Sequence, residues 1–209
     1  DKPFFNIVTG IVNIWFRATD IDRKNIRIKS TKAEDTIMAF LGTVHLNQWM
    51  RKANFGVFLN DWGRTLARYG SAVTKFVEKD GELYAEVIPW NRIIIDPIDF
   101  DANVKIEVLE LTPAQLRKRK GYNKEQVNAL IDAVSSREDV NGNKKDNKAG
   151  YIRLYEIHGE LPESYITGKD VDDDIYTQQM HVVSFVEGKE SGKFDDFTLV
   201  SGHEARDPY

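Results

Sequence analysis

The segment from Asn54 to Phe76 constrains the fold of this chain more than any other part of its sequence. Within it, Gly70 ends a predicted helix, and a strand-like run begins at Ala72. Large apolar residues recur in it at steps of four, three, four and three, the spacing of one helix face: Phe55, Leu59, Trp62, Leu66 and Tyr69. The segment therefore predicts an amphipathic helix that leads directly into a β-strand. The junction between them is assigned to Trp62, Gly63, Tyr69 and Gly70.

Glycines lie beside this apolar face at intervals of seven residues, at Gly56, Gly63 and Gly70, and Gly42 lies two heptads earlier. A glycine inside a helix costs about 0.5–1 kcal/mol relative to alanine. The regular spacing therefore predicts that another backbone packs closely against this helix. None of these residues carries a reactive group, so the segment is structural and argues against an ordinary enzyme.

The composition is that of a globular protein with one large or two small domains. The 209 residues are 41% hydrophobic and 30% charged, and the net charge of -4 gives no support to a general DNA-coating protein. The absence of cysteine excludes disulfides and thiolate metal sites, and it is consistent with a reducing cytoplasm.

An apolar run near the start of the chain, from Pro3 to Phe16, has helical spacing. Its length of about 14 residues is short of the roughly 20 needed to span a bilayer, and it lacks the features of a signal peptide. We therefore expect a buried amphipathic helix over 3–17 and no membrane association. The chain begins at Asp1 and stops at Tyr209 without an obvious domain end, so we expect a fragment of a longer protein.

A second predicted helix begins at Thr31 and Glu34, which match a capping box. This helix runs to about Asn54 and continues, with a kink near Gly56, into the segment described above. Together the two parts form one long amphipathic helix.

Asp80 and Gly81 predict a β-hairpin, because they separate two alternating runs at 72–77 and 82–88. Asp-Gly is typical of a two-residue hairpin turn, since both turn positions need a positive φ. Thr112, Pro113 and Gln115 supply the N-cap, the first-turn proline and the third-position glutamine of a later short helix. Further strands are expected over 92–95, 105–111, 151–158, 178–186 and 197–200, and a further helix over 123–135.

These elements predict an α+β fold. N-terminal helices, including the long amphipathic helix, pack on a twisted, mostly antiparallel β-sheet, and a second β-rich segment follows a flexible loop. Residues 137–150 are polar and rich in Asn, Lys and Asp, which predicts that loop or linker. The chain is therefore divided into a helical and hairpin part (1–136), the loop (137–150) and a β-rich part (151–209).

Asp96, Asp99 and Asp101 are the candidates for a divalent metal site. Their spacing does not match a calcium loop, and Pro97 favours a turn that leaves a strand. The acidic residues within 170–174 are a second candidate for a divalent metal site, and they are also typical of a solvated turn. Metal-dependent hydrolysis at the Asp96 cluster is kept as an alternative function.

The remaining side chains give no catalytic pattern. The four histidines have no pair at ligand spacing and are typical of structural histidines: His45, His158, His181 and His203. The sequence contains no nucleophile elbow, no dinucleotide fingerprint and no phosphate-binding P-loop. We therefore expect no enzymatic activity and no cofactor.

The densest basic run is Arg117, Lys118, Arg119 and Lys120. Four exposed charges on a short helix are typical of a solvated face, and the same residues are the candidates for contact with nucleic-acid phosphates. Because the net charge is -4, we expect DNA binding to be weak and non-specific.

In their order along the chain, these elements resemble the portal (head-to-tail connector) proteins of tailed bacteriophages. In that family a helix with an aspartate-tryptophan-glycine step ends at a tyrosine-glycine turn, and a β-hairpin follows. A proline-containing strand and an aspartate-proline step come next. A later helix then begins at a leucine-threonine pair. The matching residues are Asp61-Trp62-Gly63, Tyr69-Gly70-Ser71-Ala72, Pro89-Trp90-Asn91, Asp96-Pro97 and Leu111 to Leu116. A later strand, a Gly-Glu-Leu-Pro turn and a closing segment also match, at Leu154-Tyr155-Glu156, Gly159 to Pro162 and Asp207 to Tyr209.

The resemblance implies the wing region of a structural, non-enzymatic portal. The family forms a dodecameric ring at one capsid vertex of the virion, through which a separate terminase drives genomic DNA, and the ring is assembled in the cytoplasm of the bacterial host. Its partners would be neighbouring portal subunits, capsid and scaffolding proteins, and terminase and head-completion proteins bound through parts outside this chain. A protein-interaction module built from the hairpin and the long helix is a further alternative.

Overall fold

The computed structural model of this chain describes residues 7–18, 21–79, 81–100, 104–135, 150–168, 175–187, 193–202 and 208. Helices dominate the N-terminal part and antiparallel strands the C-terminal part, which confirms the predicted α+β class. The chain divides into two compact units. The first comprises Asp1–Trp90 with Pro208–Tyr209, and the second comprises Asn91–Asp207.

Three α-helices build most of the first unit. They are α1 (Ile7–Ala18), α2 (Thr36–Lys52) and α3 (Phe55–Tyr69). Both α1 and α2 pack against α3. The third helix carries the predicted apolar face and is therefore the central helix of this unit.

The predicted capping box of Thr31 and Glu34 is wrong. A short 3-10 helix, Ala33–Asp35, precedes α2, and its N-cap residue is Lys32, without a side-chain cap. The Ser30 hydroxyl instead accepts the Lys32 N–H at 3.0 Å. Thr31 is therefore not the N-cap residue, and α2 begins at Thr36.

The long helix predicted up to residue 69 is broken into two helices at Asn54. This residue has a left-handed φ of 50° between α2 and α3, and its carbonyl accepts the Val57 N–H at 2.8 Å. Asparagine is one of the few residues other than glycine that adopt this conformation readily. The kink predicted near Gly56 is therefore a helix break two residues earlier.

The predicted β-hairpin is confirmed. Lys79 pairs with Glu82, so the connection is two residues long, and Gly81 has a φ of 79°. Asp80, the other predicted turn residue, lies outside the described residues. The two strands are β1 (Val73–Lys79) and β2 (Glu82–Ile88).

Residue 208 also belongs to the first unit. The Phe76 N–H in β1 donates to the Pro208 carbonyl at 2.7 Å. The second unit is thus inserted between the hairpin and a later segment that lies beside it.

A five-stranded antiparallel sheet builds the second unit, and its strand order follows the chain order. Each strand pairs with the next, which is a meander. One strand has its predicted bounds, and the last three are longer than predicted. The strands are β3 (Ile93–Ile94), β4 (Lys105–Leu111), β5 (Ile152–Pro162), β6 (Tyr176–Glu187) and β7 (Phe194–Gly202).

Two short helices, α4 (Pro113–Lys118) and α5 (Lys124–Ser135), pack against this sheet. The predicted capping box of α4 is confirmed, because the Thr112 hydroxyl accepts the Gln115 N–H at 3.3 Å and the Gln115 side chain accepts the Thr112 N–H at 2.9 Å. The core of the unit is apolar: Leu116, Val127, Leu130, Ile131, Ile152, Leu154, Val182, Val186 and Leu199.

The turn predicted at Gly159 is wrong, because β5 continues through it to Pro162 and Gly159 pairs with Gln179. A Cβ atom on Gly159 would lie 2.9 Å from the Cα of Val104. Glycine is therefore needed here for a close approach of two backbones within a strand. A single helical turn, α6 (Ser164–Thr167), follows.

The loop predicted over 137–150 lies outside the described residues, apart from Gly150. The strands on either side of it, β4 and β5, pair directly over seven residues, from Lys105 with His158 to Leu111 with Ile152. The division into 1–136, 137–150 and 151–209 stays a prediction.

Candidate functional site

The junction between α3 and the hairpin contains most of the residues predicted to be architectural. Gly70 has a φ of 76°, and its N–H donates to the Leu66 carbonyl at 2.8 Å, which is the left-handed cap that glycine favours. Gly63 is buried and Trp62 is half-buried. Tyr69 is 58% exposed, although it belongs to the apolar face predicted for this helix. It occupies the last position of α3, where the chain turns away at Gly70.

Two tryptophans connect the helices to the strands of this unit. The indole N–H of Trp90 donates to the Ser71 carbonyl at 3.2 Å, and that of Trp49 in α2 donates to the Leu83 carbonyl of β2 at 2.9 Å. The Trp49 ring lies 5.2 Å from the Phe55 ring. Sequence analysis missed these hydrogen bonds because the acceptors lie 19 and 34 residues away along the chain.

Close packing at Gly63 is observed, but against a side chain. A Cβ atom there would lie 3.1 Å from two ring carbons of Phe16 in α1, and the Arg64 guanidinium lies 5.0 Å from the centre of the same ring. Around Gly56 and Gly70, nothing lies within 4 Å of such a Cβ atom. The prediction of a backbone packed along the whole glycine register is therefore wrong.

The helices α1 and α2 carry exposed apolar stripes. None of the α1 residues is buried, and only Val12 and Phe16 are half-buried, so the prediction of a buried N-terminal helix is wrong. The exposed stripe of α1 is Ile7, Val8, Ile11, Ile14 and Trp15. That of α2 is Ile37, Met38, Phe40, Leu41 and Val44. Monomeric proteins rarely leave large contiguous apolar patches uncovered.

One face of the large sheet buries four ionisable side chains, Lys105 and Glu107 of β4 and Glu156 and His158 of β5. Lys105 pairs with His158 and Glu107 with Glu156, so all four share one face. His158 Nε2 lies 2.8 Å from Glu156 Oε1, and Lys105 Nζ lies 4.7 Å from the centre of the Phe100 ring. Buried charges with opposite charges and polar partners beside them are typical of a structural network.

His181 lies on the opposite face of the sheet, in β6. Its Nε2 lies 2.7 Å from the side-chain oxygen of Gln179, whose amide nitrogen donates to the carbonyls of Leu161 and Pro162 at 2.8 and 3.0 Å. Both side chains are buried. Burial lowers the pKa of His181 below its ordinary 6.5, because the charged imidazolium loses its hydration.

The carboxylate of Asp96 accepts hydrogen bonds from the backbone of the loop that follows β3. Its Oδ1 accepts the N–H groups of Ile98 and Asp99 at 2.7 and 3.2 Å, which closes an Asx turn. Asp101 and the acidic residues within 170–174 lie outside the described residues. Among the residues that the structure describes, no group of three histidines, aspartates or glutamates could hold a metal ion.

The basic run of α4 separates into two pairs. Arg117 and Arg119 line a cavity of about 150 Å³, together with residues of α5, whereas Lys118 and Lys120 do not line it. Arg119 follows the helix end with an extended backbone (φ -65°, ψ 121°). The other lining residues are Leu116, Tyr122, Lys124, Val127 and Asn128.

Tyr122 lies between α4 and α5 and is half-buried. Burial raises the pKa of its phenol to about 12, with Arg119 opposing the shift and Glu156 and Glu107 adding to it. The phenol is therefore protonated at neutral pH and is a hydrogen-bond donor at the edge of the cavity.

In the described ranges, no helix combines the length and the apolar character that crossing a membrane requires. Comparison of the chain with protein-family models gave no match, and comparison with curated proteins gave none.

Proposed function

We propose that this chain is a structural, non-enzymatic part of the portal ring at a capsid vertex of a tailed bacteriophage. Genomic DNA would pass through the ring during packaging and ejection. Neighbouring portal subunits, capsid and scaffolding proteins would be its partners in the virion, with terminase and head-completion proteins bound through other parts of the portal. Assembly would take place in the cytoplasm of the bacterial host.

One observation carries the proposal: several of the motif residues lie at the ends of helices and strands, in the order that the resemblance implies. Tyr69-Gly70 ends a helix that contains Asp61-Trp62-Gly63, and the hairpin follows directly. Asp96-Pro97 follows β3, and Leu111-Thr112 connects β4 to the capped helix α4. The Gly159 step departs from this order because it lies in a strand.

The position of Pro208 also supports the proposal. The closing segment resembles the portal segment that precedes the long stem helix, and Pro208 lies beside β1 in the first unit. A stem helix that follows this segment would thus continue from the helical unit, with the second unit as an insertion.

The exposed apolar stripes of α1 and α2 support assembly into a larger structure. Such surfaces are typical of protein–protein contacts, because leaving them in water costs about 25 cal/mol per Å² of apolar area. This support concerns assembly alone and is independent of the motif order.

The proposal is tested by electron microscopy of the complete gene product that contains this chain. We expect dodecameric rings with a central channel in negative stain. The 209-residue chain alone is the control. It is expected to form no tight ring, because its resemblance is to the wing region and not to the stem and crown. A complete product that remains monomeric or dimeric would contradict the proposal.

The alternative of metal-dependent hydrolysis at Asp96, Asp99 and Asp101 is tested by calorimetry. We expect no saturable heat when Mg²⁺ or Ca²⁺ is added to the chain. A saturable site that is lost in Asp99→Ala would favour the hydrolase and would count against a purely structural role.

A further inference from the structure

The cavity between α4 and α5 has an unusual charge distribution. Three cationic side chains line it, Arg117, Arg119 and Lys124, and no carboxylate is among its lining residues. In the part of the chain that the structure describes, none of these three cations forms an ion pair. Like charges around one cavity repel each other, and an anion bound between them removes that repulsion.

Polar and apolar groups complete the lining. Tyr122 supplies a phenol and Asn128 a side-chain amide, while the buried side chains of Leu116 and Val127 form an apolar base. Arginine, lysine, tyrosine and asparagine are side chains that donate hydrogen bonds to phosphate oxygens. Because its pKa is about 12, the phenol of Tyr122 retains its proton for such a bond.

The cavity is large enough for a small anion. Its volume is about 150 Å³. A phosphate group has five heavy atoms, whereas a whole nucleotide has several times that number. The cavity therefore has room for one phosphate group.

We infer that the cavity formed by Arg117, Arg119, Tyr122, Lys124 and Asn128 is a binding site for a single phosphate group. The group is either free inorganic phosphate or one phosphate of a nucleic-acid backbone, since both present the same oxygens. Only two members of the basic run take part in the site. This inference does not depend on ring formation, because the site lies within the second unit of one chain.

The basic run provides a charge-matched test. Arg117→Ala/Arg119→Ala and Lys118→Ala/Lys120→Ala each remove two exposed positive charges from the same segment, but only the first pair lines the cavity. Inorganic phosphate is titrated into the 209-residue chain and both variants, and amide NMR shifts of residues 116–128 are followed. Thermal melts by circular dichroism establish that both variants are folded.

We expect saturable phosphate binding with a dissociation constant of order 1 mM. The arginine pair should weaken it at least about tenfold, the lysine pair less than about twofold, and Tyr122→Phe about threefold, since one charge-assisted hydrogen bond is lost. Equal weakening by the two pairs would overturn the inference, because it would mean that the general positive field binds the ion. The absence of saturable shifts in the wild-type chain would also overturn it.

A second titration distinguishes the two sources of phosphate. A fluorescent DNA duplex of about 20 base pairs is titrated with the same variants at fixed salt, because phosphate contacts depend strongly on salt. If the arginine pair weakens DNA binding more than the lysine pair does, the group bound is a backbone phosphate. If only the inorganic phosphate titration separates the pairs, the site binds free phosphate. Both results support a phosphate site.

Discussion

Gly63 is a position of close helix packing in the first unit. It lies in the middle of α3, and a Cβ atom there would lie 3.1 Å from the ring of Phe16 in α1, so a larger side chain requires that ring to shift. Helix propensity alone would favour almost any other residue at this position. The glycine is therefore explained by the neighbouring aromatic ring and not by the backbone conformation of the helix.

We predict that Gly63→Leu lowers the free energy of unfolding by about 1–3 kcal/mol, because the added carbons displace the Phe16 ring. Gly56→Leu is the matched control, since it lies in the same helix with nothing within 4 Å of an added Cβ atom. The control should be neutral or slightly stabilising. Urea denaturation of both variants measures the difference, and equal effects at the two positions would contradict the role assigned to Phe16.

Strand β6 buries two polar side chains, Gln179 and His181, that form hydrogen bonds with groups of the same sheet. The side-chain oxygen of Gln179 hydrogen-bonds to His181 in the same strand. Its amide nitrogen donates to two carbonyls at the end of the neighbouring strand β5. The cost of burying the imidazole is small while the ring is neutral and rises when it is protonated. The packing of this strand therefore depends on pH.

We predict that stability falls as the pH is lowered through about 6.5 and below. The pKa of His181 is lowered in the folded state, so the unfolded chain binds the proton more readily and acid favours unfolding. His181→Gln should make the pH dependence of stability between about pH 7.5 and 5 less steep. His45→Gln, at an exposed position of α2, is the control. Identical slopes in the wild-type chain and both variants would exclude this role of His181.

At the scale of elements, the most reliable predictions were those based on local chemistry. The hairpin at Gly81 and the capped start of α4 at Thr112 were both predicted, because the turn and the cap are made by residues within a few positions of each other. The strand through Gly159 was missed. Glycine is needed there because the backbone of Val104, which is distant along the chain, lies too close for a side chain.

At the scale of the whole molecule, the chain consists of two compact units, and the first carries the uncovered apolar stripes of α1 and α2. Among the residues that the structure describes, the side chains of both stripes are exposed. In the ring that we propose, the largest contacts between subunits would be made by other parts of the portal. We therefore expect the stripes alone to support only weak contacts, of less than the roughly 1,000 Å² that a stable interface buries.

We predict weak, concentration-dependent self-association of the chain at micromolar concentration, measured by sedimentation velocity. Ile11→Glu/Phe40→Glu places one charge in each stripe and should leave the chain monomeric with little change in melting temperature, since both side chains are exposed. Ile98→Glu/Tyr165→Glu, at exposed positions of the second unit, is the control and should leave self-association unchanged. A tight dodecamer of this chain, or an equal effect of the control, would refute the prediction.

The sequence by itself determined the elements whose cause is local. Apolar spacing determined α3, alternation and Asp80-Gly81 determined the hairpin, and Thr112 with Gln115 determined the start of α4. In each case the interacting groups are separated by only a few residues, so the physical cause is readable from the order of side chains.

Only the tertiary structure decided which surfaces are buried and which charges meet. The α1 helix is apolar but uncovered, because burial depends on a neighbouring element and not on the helix itself. Arg117 and Arg119 line the cavity with Lys124 because the chain leaves α4 in an extended conformation and returns as α5. Such juxtapositions arise from the path of the chain in three dimensions, and the spacing of residues along the sequence contains no direct signal for them.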